Sequence, residues 1–296
     1  MRILPLDLQF QDAPQAIAAY LIPHSTGGIL IETGPGSTVS ALTAALAQHG
    51  LVPSQITHVF LTHIHLDHAG AAGWMAQQGA RIHVHPRGAP HLIAPDRLIA
   101  SATRIYGDMM DTLWGDFLSV PEENLHVLTD EETVSVDGIE ITALDTPGHA
   151  RHHYAYLVGE TCFTGDVGGV RLPGPPHIRL PMPPPEIDLD SWRASVRRLM
   201  RHNITQIAPT HFGLYQDVDW HWNELLRLID EVDAWLAELN PDKYTEPEMR
   251  EHIQAWTDAQ SRKLGITPEM MQTYELANPT WMSAAGVKRF WKKFRS

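Results

Sequence analysis

The chain has 296 residues, a formal charge of −13 from 22 Lys and Arg against 35 Asp and Glu, 18 histidines and one cysteine. With 43% apolar and 8% aromatic residues it can bury a sizeable core, which excludes disorder. The lone Cys162 excludes a disulfide framework, a four-cysteine zinc site and a paired redox thiol. The acidic balance argues against a nonspecific polyanion binder.

The first ten residues lack a charged n-region followed by an apolar run, and no apolar stretch approaches the roughly 20 residues that span a bilayer. A soluble, cytoplasmic protein without membrane contact is expected. Residues 17–23 and 28–32 read as strands, the second ending in the turn signal Thr33-Gly34-Pro35-Gly36. Residues 37–48 form an Ala/Leu-rich helix closed by His49-Gly50. A strand at 57–61 runs into a histidine cluster; 73–78 is helical and 81–85 a strand. Residues 95–120 carry apolar side chains at helical spacing and read as an inserted helical segment. Strands follow at 125–128, 133–136, 139–144, 154–158 and 161–164, with Asp137-Gly138 and Gly159-Glu160 as hairpin turns.

Seven of the fourteen residues 172–185 are proline, so this segment is a long stiff loop, either a lid or binding loop or a surface connection. Residues 190–201 are a helix, 204–208 a strand, and the chain after Tyr215 reads as helical. Strands separated by helices in both halves give an α/β class with layered sheets. The expected organisation is a catalytic domain over 1–215 and a helical extension over 216–296 packed on it. Five of the 22 basic residues lie in the tail from Val287 to Arg295, whose Phe290, Trp291 and Phe294 are expected to pack on the body.

The chemistry concentrates in Thr62-His63-Ile64-His65-Leu66-Asp67-His68, directly after a strand. Three imidazoles and a carboxylate form an N/O donor set suited to zinc, iron or manganese. In an extended segment His63 and His65 point the same way and reach one ion, while Asp67 and His68 lie past the bend for a second. Two coordination shells need further donors at other strand ends. His149, Asp166 and His211 each follow a predicted strand within a few residues.

Together these motifs resemble the metallo-β-lactamase-fold hydrolase superfamily, in its glyoxalase II-like and lactonase-like branch, over about residues 15–215. The resemblance implies a four-layer αβ/βα sandwich with the site at one edge of the paired sheets. It implies His63, His65 and His149 on one metal, Asp67, His68 and His211 on the other, and Asp166 bridging. The first motif is Ile31-Glu32-Thr33-Gly34, where many members carry Asp. A short internal echo relates residues 56–63 to 204–211.

Two divalent ions about 3.5 Å apart share a water, which becomes a bridging hydroxide nucleophile, and one polarises the substrate carbonyl. Asp67, ligand and proton acceptor, is expected to shuttle the proton. His65 in place of a carboxylate favours zinc, with iron and manganese as alternatives. The expected reaction is hydrolysis of a thioester or lactone, a small-molecule substrate, and a homodimer is compatible with it. A phosphodiesterase or nuclease on the same fold fits the −13 charge poorly, so no nucleic acid is expected. An iron-dependent persulfide dioxygenase would use only His63, His65, His149 and Asp166. His152 and His153 are expected beside the site or facing solvent, and His83 and His85 in packing or at the surface. Tyr106, a weaker candidate for donating to a leaving group, is expected in the core. Arg171 and Arg179 are weaker candidates for a substrate carboxylate.

Overall fold

The computed structural model describes residues 1–295. Strands β1 (Leu4–Asp7), β2 (Ala18–His24), β3 (Gly27–Ile31), β4 (Ile56–Phe60), β5 (Arg81–Val84) and β6 (Leu125–Val127) form one sheet in that order. The first three run antiparallel and β3 to β6 parallel. Strands β7 (Thr133–Val136), β8 (Ile139–Asp145), β9 (Tyr154–Val158), β10 (Thr161–Phe163) and β11 (Gln206–Ala208) form the second, ordered β11-β10-β9-β8-β7. Only the β10–β11 pair is parallel there. Parallel neighbours require crossovers, and these are supplied by helices such as Val39–Gln48 between β3 and β4 and Leu189–Leu199 between β10 and β11. Asp137 and Gly138 both take positive φ (51° and 78°), as a two-residue hairpin between β7 and β8 demands.

Strand alternation assigns the layers. Along β9, Tyr154 and Tyr156 enter the core shared with the first sheet, whereas Ala155 joins a second core with Trp192 and Leu225. Phe163 and Ala208 face inward, Cys162 and Ile207 outward. The result is the four-layer sandwich: helices, two face-to-face sheets, helices. Tyrosine hydroxyls clip the sheets together. Tyr156 donates to the Leu61 carbonyl (2.7 Å), Tyr154 to that of Leu128 (3.0 Å), and Tyr20 to those of Pro209 and Gly213.

Several elements differ from expectation. Strand β1 has no clear sequence signal because Pro5 interrupts it; it lies at the sheet edge, where a missing N–H costs nothing. The insert is three short helices, Ala89–Ile93, Asp96–Tyr106 and Met110–Trp114. It stops at Gly115, whose φ is 60° and where a Cβ would lie 2.6 Å from the Ser37 nitrogen. The proline-rich segment is a surface connection only in part: residues 174–176 and 185 are exposed, and Pro181 and Pro183 to Pro185 line a cavity, as a binding loop would. Leu172 and His177 to Met182 are buried. Residue 179 exchanges backbone hydrogen bonds with Val170, and the Tyr274 hydroxyl donates to the His177 carbonyl.

Helices Val218–Leu239, Glu246–Lys263, Pro268–Ala277 and Thr280–Phe294 cover that segment. Trp222, Leu225 and Ile229 pack with Leu144 and Cys162 of the second sheet, so these helices share its core. Phe290 and Trp291 are buried as expected, but Phe294 is exposed. No helix among the described residues is long and apolar enough to cross a membrane.

Candidate metal centre

Five strands deliver their C-terminal ends to one point. Glu32 follows β3, the His63 to His68 segment follows β4, His149 follows β8, Asp166 follows β10 and His211 follows β11. The His63, His65, His149 and Asp166 donor atoms lie within 4.8 Å of one another, and so do those of Asp67, His68 and His211. His63 Nε2 and His149 Nε2 approach His65 Nδ1 at 2.9 and 3.0 Å. His211 Nε2 and His68 Nε2 face Asp67 Oδ2 at 3.4 and 3.5 Å. Asp166 stands between the groups, with Oδ2 3.3 Å from His149 Nε2 and Oδ1 3.4 Å from His68 Nε2.

The far nitrogen of four imidazoles is fixed, which turns Nε2 inward. His149 Nδ1 donates to the Pro181 carbonyl (2.9 Å), His211 Nδ1 to that of Ala16 (2.8 Å) and His68 Nδ1 to Glu32 Oε1 (3.0 Å). The Thr62 hydroxyl gives its proton to Glu32, so its oxygen accepts from His63 Nδ1 (3.1 Å). Glu32 is wholly buried and left-handed (φ 67°), a costly conformation that lets one carboxylate serve Thr62, His68 and Thr210 together. His68 Nε2 and Asp166 Oδ1 are buried without a hydrogen-bond partner. Buried polar atoms seldom go unsatisfied, and a cation between these two would satisfy both. The residues therefore fit a metal.

Electrostatics divides the cluster. Burial, with the neighbouring imidazoles, holds His63 far below the ordinary histidine range and takes His65 to about 3. Burial also lowers His149. These three imidazoles are neutral at pH 7, the form that could bind a cation. Burial opposes a proton on His68 and His211 as well, but the adjacent carboxylates, chiefly Asp67 and Asp166, outweigh it and raise both. Burial likewise opposes ionisation of Asp67 and Asp166, yet His68 leads the groups that keep both below the usual carboxylate range.

Residues 13–211 match the family model of the metallo-beta-lactamase superfamily. The chain belongs to that superfamily. It is 24% identical over 205 residues to the metallo-beta-lactamase fold-containing protein ST1585 of Sulfurisphaera tokodaii, covering 68% of this chain and 74% of that one. The ST1585 crystal structure superposes with a TM-score of 0.65 at 23% identity, over 76% of this chain and 85% of that one. The family protein TTHA1429 of Thermus thermophilus also gives 0.65 at 19% identity, over 99% of this chain and 93% of that one. An atrochrysone carboxyl ACP thioesterase of Aspergillus fumigatus is 24% identical over 208 residues, 69% of this chain and 39% of the thioesterase's length.

In this superfamily member the cluster floors a cavity of about 850 Å³, onto which His65, Asp67, His152 and Asp166 open. Its walls come from the Asp96–Tyr106 and Met110–Trp114 helices and from Trp281 and Met282 of the last helix. Tyr106 packs against the core as expected, its ring on Trp114 at 5.0 Å, and also lines the cavity. His153 lies behind the floor: its Nε2 accepts from the Val167 N–H (3.3 Å), steadying the turn that carries Asp166. His152 lines the cavity. His83 stacks on Phe60 at 4.1 Å between the sheets, and His85 faces Asp145 at 3.4 Å.

Arg171 and Arg179 are not available to a substrate carboxylate. Both are buried, and their guanidinium groups bind Asp217 (2.6 Å) and Glu275 (2.5 Å). The supporting roles of Thr62 and Thr210 were not anticipated. Their one signal is the internal echo, which aligns Thr62-His63 with Thr210-His211; both hydroxyls donate to Glu32.

Proposed function

We propose that the protein is a binuclear metal-dependent hydrolase of ester-like carbonyl compounds, a thioester or a lactone. His63, His65 and His149 hold one divalent cation, Asp67, His68 and His211 a second, and Asp166 bridges them. The observation that carries this reading is the split of Asp166, one oxygen towards each donor set. Imidazole and carboxylate donors without thiolate suit zinc, with iron or manganese as the alternatives.

Two cations held there would supply a water that ionises near neutrality and a Lewis acid for the carbonyl oxygen. The chain's own groups do the rest. The Asp67 side chain is 20% exposed against 5% for Asp166, so it is the more accessible of the two carboxylates on the cavity floor. Held ionised by His68, it can accept a proton from a water entering there. Burial, with Asp67 nearby, keeps the Tyr106 phenol protonated. It donates to a weak acceptor, Met282 Sδ (3.1 Å), and is free to turn to a leaving-group oxygen or sulfur. The apolar walls hold the acyl group and keep water from it.

The thioesterase name of the fungal relative supports the thioester half of the proposal. The test is metal content of protein purified without added metal, followed by thioester, lactone and phosphodiester substrates. About two zinc ions per chain with thioester or lactone turnover is the expected result. Turnover of phosphodiesters alone would refute the reading.

A further inference from the structure

The cavity has a mouth of a different character from its floor. Arg97 and Arg104 of the Asp96–Tyr106 helix line the cavity and are exposed, which puts them on its rim. Seven residues apart, they lie two turns along one side of the helix, about 10 Å from each other. Neither has a carboxylate partner among the described residues; several arginines away from the cavity also lack one, but of the three that line it only Arg250 is paired. A third rim arginine, Arg250, is held by Glu246 and lies over the Trp281 ring at 5.5 Å. The acidic groups of the lining lie elsewhere: Asp67 and Asp166 on the floor, Glu275 paired with Arg179, and Glu186 against the Arg151 amide.

This polarity sorts a substrate end to end. The floor is given over to the metal donors, the apolar walls take a hydrocarbon, and two free guanidinium groups at the rim of an otherwise acidic protein attract an anion. Building on the hydrolase reading, we infer that the substrate is an acyl thioester whose thiol arm carries a phosphate, with Arg97 and Arg104 as the phosphate-binding residues. The acyl group lies between the Asp96–Tyr106 helix and Trp281, the carbonyl at the floor, and the arm leaves past the rim. The phosphate can belong to the arm itself or to a nucleotide attached to it; the chemistry recognised is the same.

Three octanoyl thioesters separate these cases: neutral octanoyl-pantetheine, octanoyl-phosphopantetheine and octanoyl-coenzyme A. At low salt kcat/KM for the phosphorylated thioesters should exceed that for the neutral one about tenfold, mainly through KM, and added salt should erase the preference. Equal preference for both phosphorylated forms locates the recognised phosphate on the arm, and preference for coenzyme A alone locates it on the nucleotide. In an Arg97→Ala/Arg104→Ala variant the charged-to-neutral ratio should fall about tenfold, and Arg97→Lys/Arg104→Lys should restore most of it. A ratio near one in the native protein, or one unmoved by the alanine pair, overturns the inference.

A second measurement is independent of turnover: tryptophan fluorescence of the native protein titrated with octyl phosphate or octyl glucoside, since Trp114 and Trp281 line the cavity. Tighter binding of the phosphate that is lost in the alanine pair supports anion recognition even if no thioester is cleaved. In that case the hydrolase reading fails alone. Phosphate binding that ignores both arginines overturns the anion site.

Discussion

The floor and the wall of the cavity are built on different principles. Every floor side chain comes from the end of a strand, and most have a second, buried hydrogen bond that fixes their aim: Pro181, Ala16, Thr62 and Glu32 hold four of the imidazoles. The wall comes from short helices of the insert and from the last helix. It is held by ring contacts such as Tyr106 with Trp281 at 6.0 Å, and parts of it are open to solvent. A floor fixed by hydrogen bonds keeps its donor atoms within tenths of an ångström, whereas packed helices can be re-shaped at modest cost. Chemistry and selectivity are thereby separated.

The sharpest way to break that contrast is to remove Asp166. Asp166→Ala takes a donor from both sets, and metal content and kcat/KM should fall together, the latter about a thousandfold. Retained activity would refute the bridging assignment. Glu32→Ala touches no proposed metal ion yet frees His68, Thr62 and Thr210 at once; metal affinity should drop about 10–100-fold, measured by competition with a chelator. An unchanged affinity would mean that the floor does not depend on its supports.

Arg171 joins the floor to the C-terminal helices. Its amide donates to the His211 carbonyl (2.6 Å), and its guanidinium binds Asp217 ahead of the Val218–Leu239 helix. Asp217→Ala strands a buried guanidinium. Because Asp217 itself is 42% exposed, the expected loss is about 1–3 kcal/mol, seen as a lower denaturant midpoint. The smallest effect belongs to the wall: Trp281→Ala should change KM for bulky acyl substrates several-fold and leave metal content untouched. Loss of metal in that variant would erase the distinction between wall and floor.

The floor is legible in the sequence because its donors are chemically rare and follow strands whose apolar runs are plain. His63, His65, Asp67, His68, His149, Asp166 and His211 could be grouped before any coordinates, and the geometry brings all seven together. The wall is not legible. Whether Tyr106 also lines a cavity depends on where the last helix packs. The partners of Arg171 and Arg179, Asp217 and Glu275, lie far along the chain on helices whose docking no local pattern encodes. Strand β1 is not legible because propensity penalises Pro5, while only topology reveals that its edge tolerates it.

The proline-rich segment can be understood through its donors. Burying a stretch of irregular chain is normally expensive because each peptide brings an N–H that must find an acceptor. Seven of the fourteen residues from 172 to 185 bring none. The buried stretch from 177 to 182 holds only one of these prolines, Pro181, and its carbonyls accept from Tyr274, Val170, Asn278 and His149. One of them, at Pro181, receives the His149 ring. Replacing these prolines with other residues would do more than loosen a stiff connection. At Pro181, the buried member of the set, it would add an unanswered N–H to the interior, directly behind the His149 imidazole.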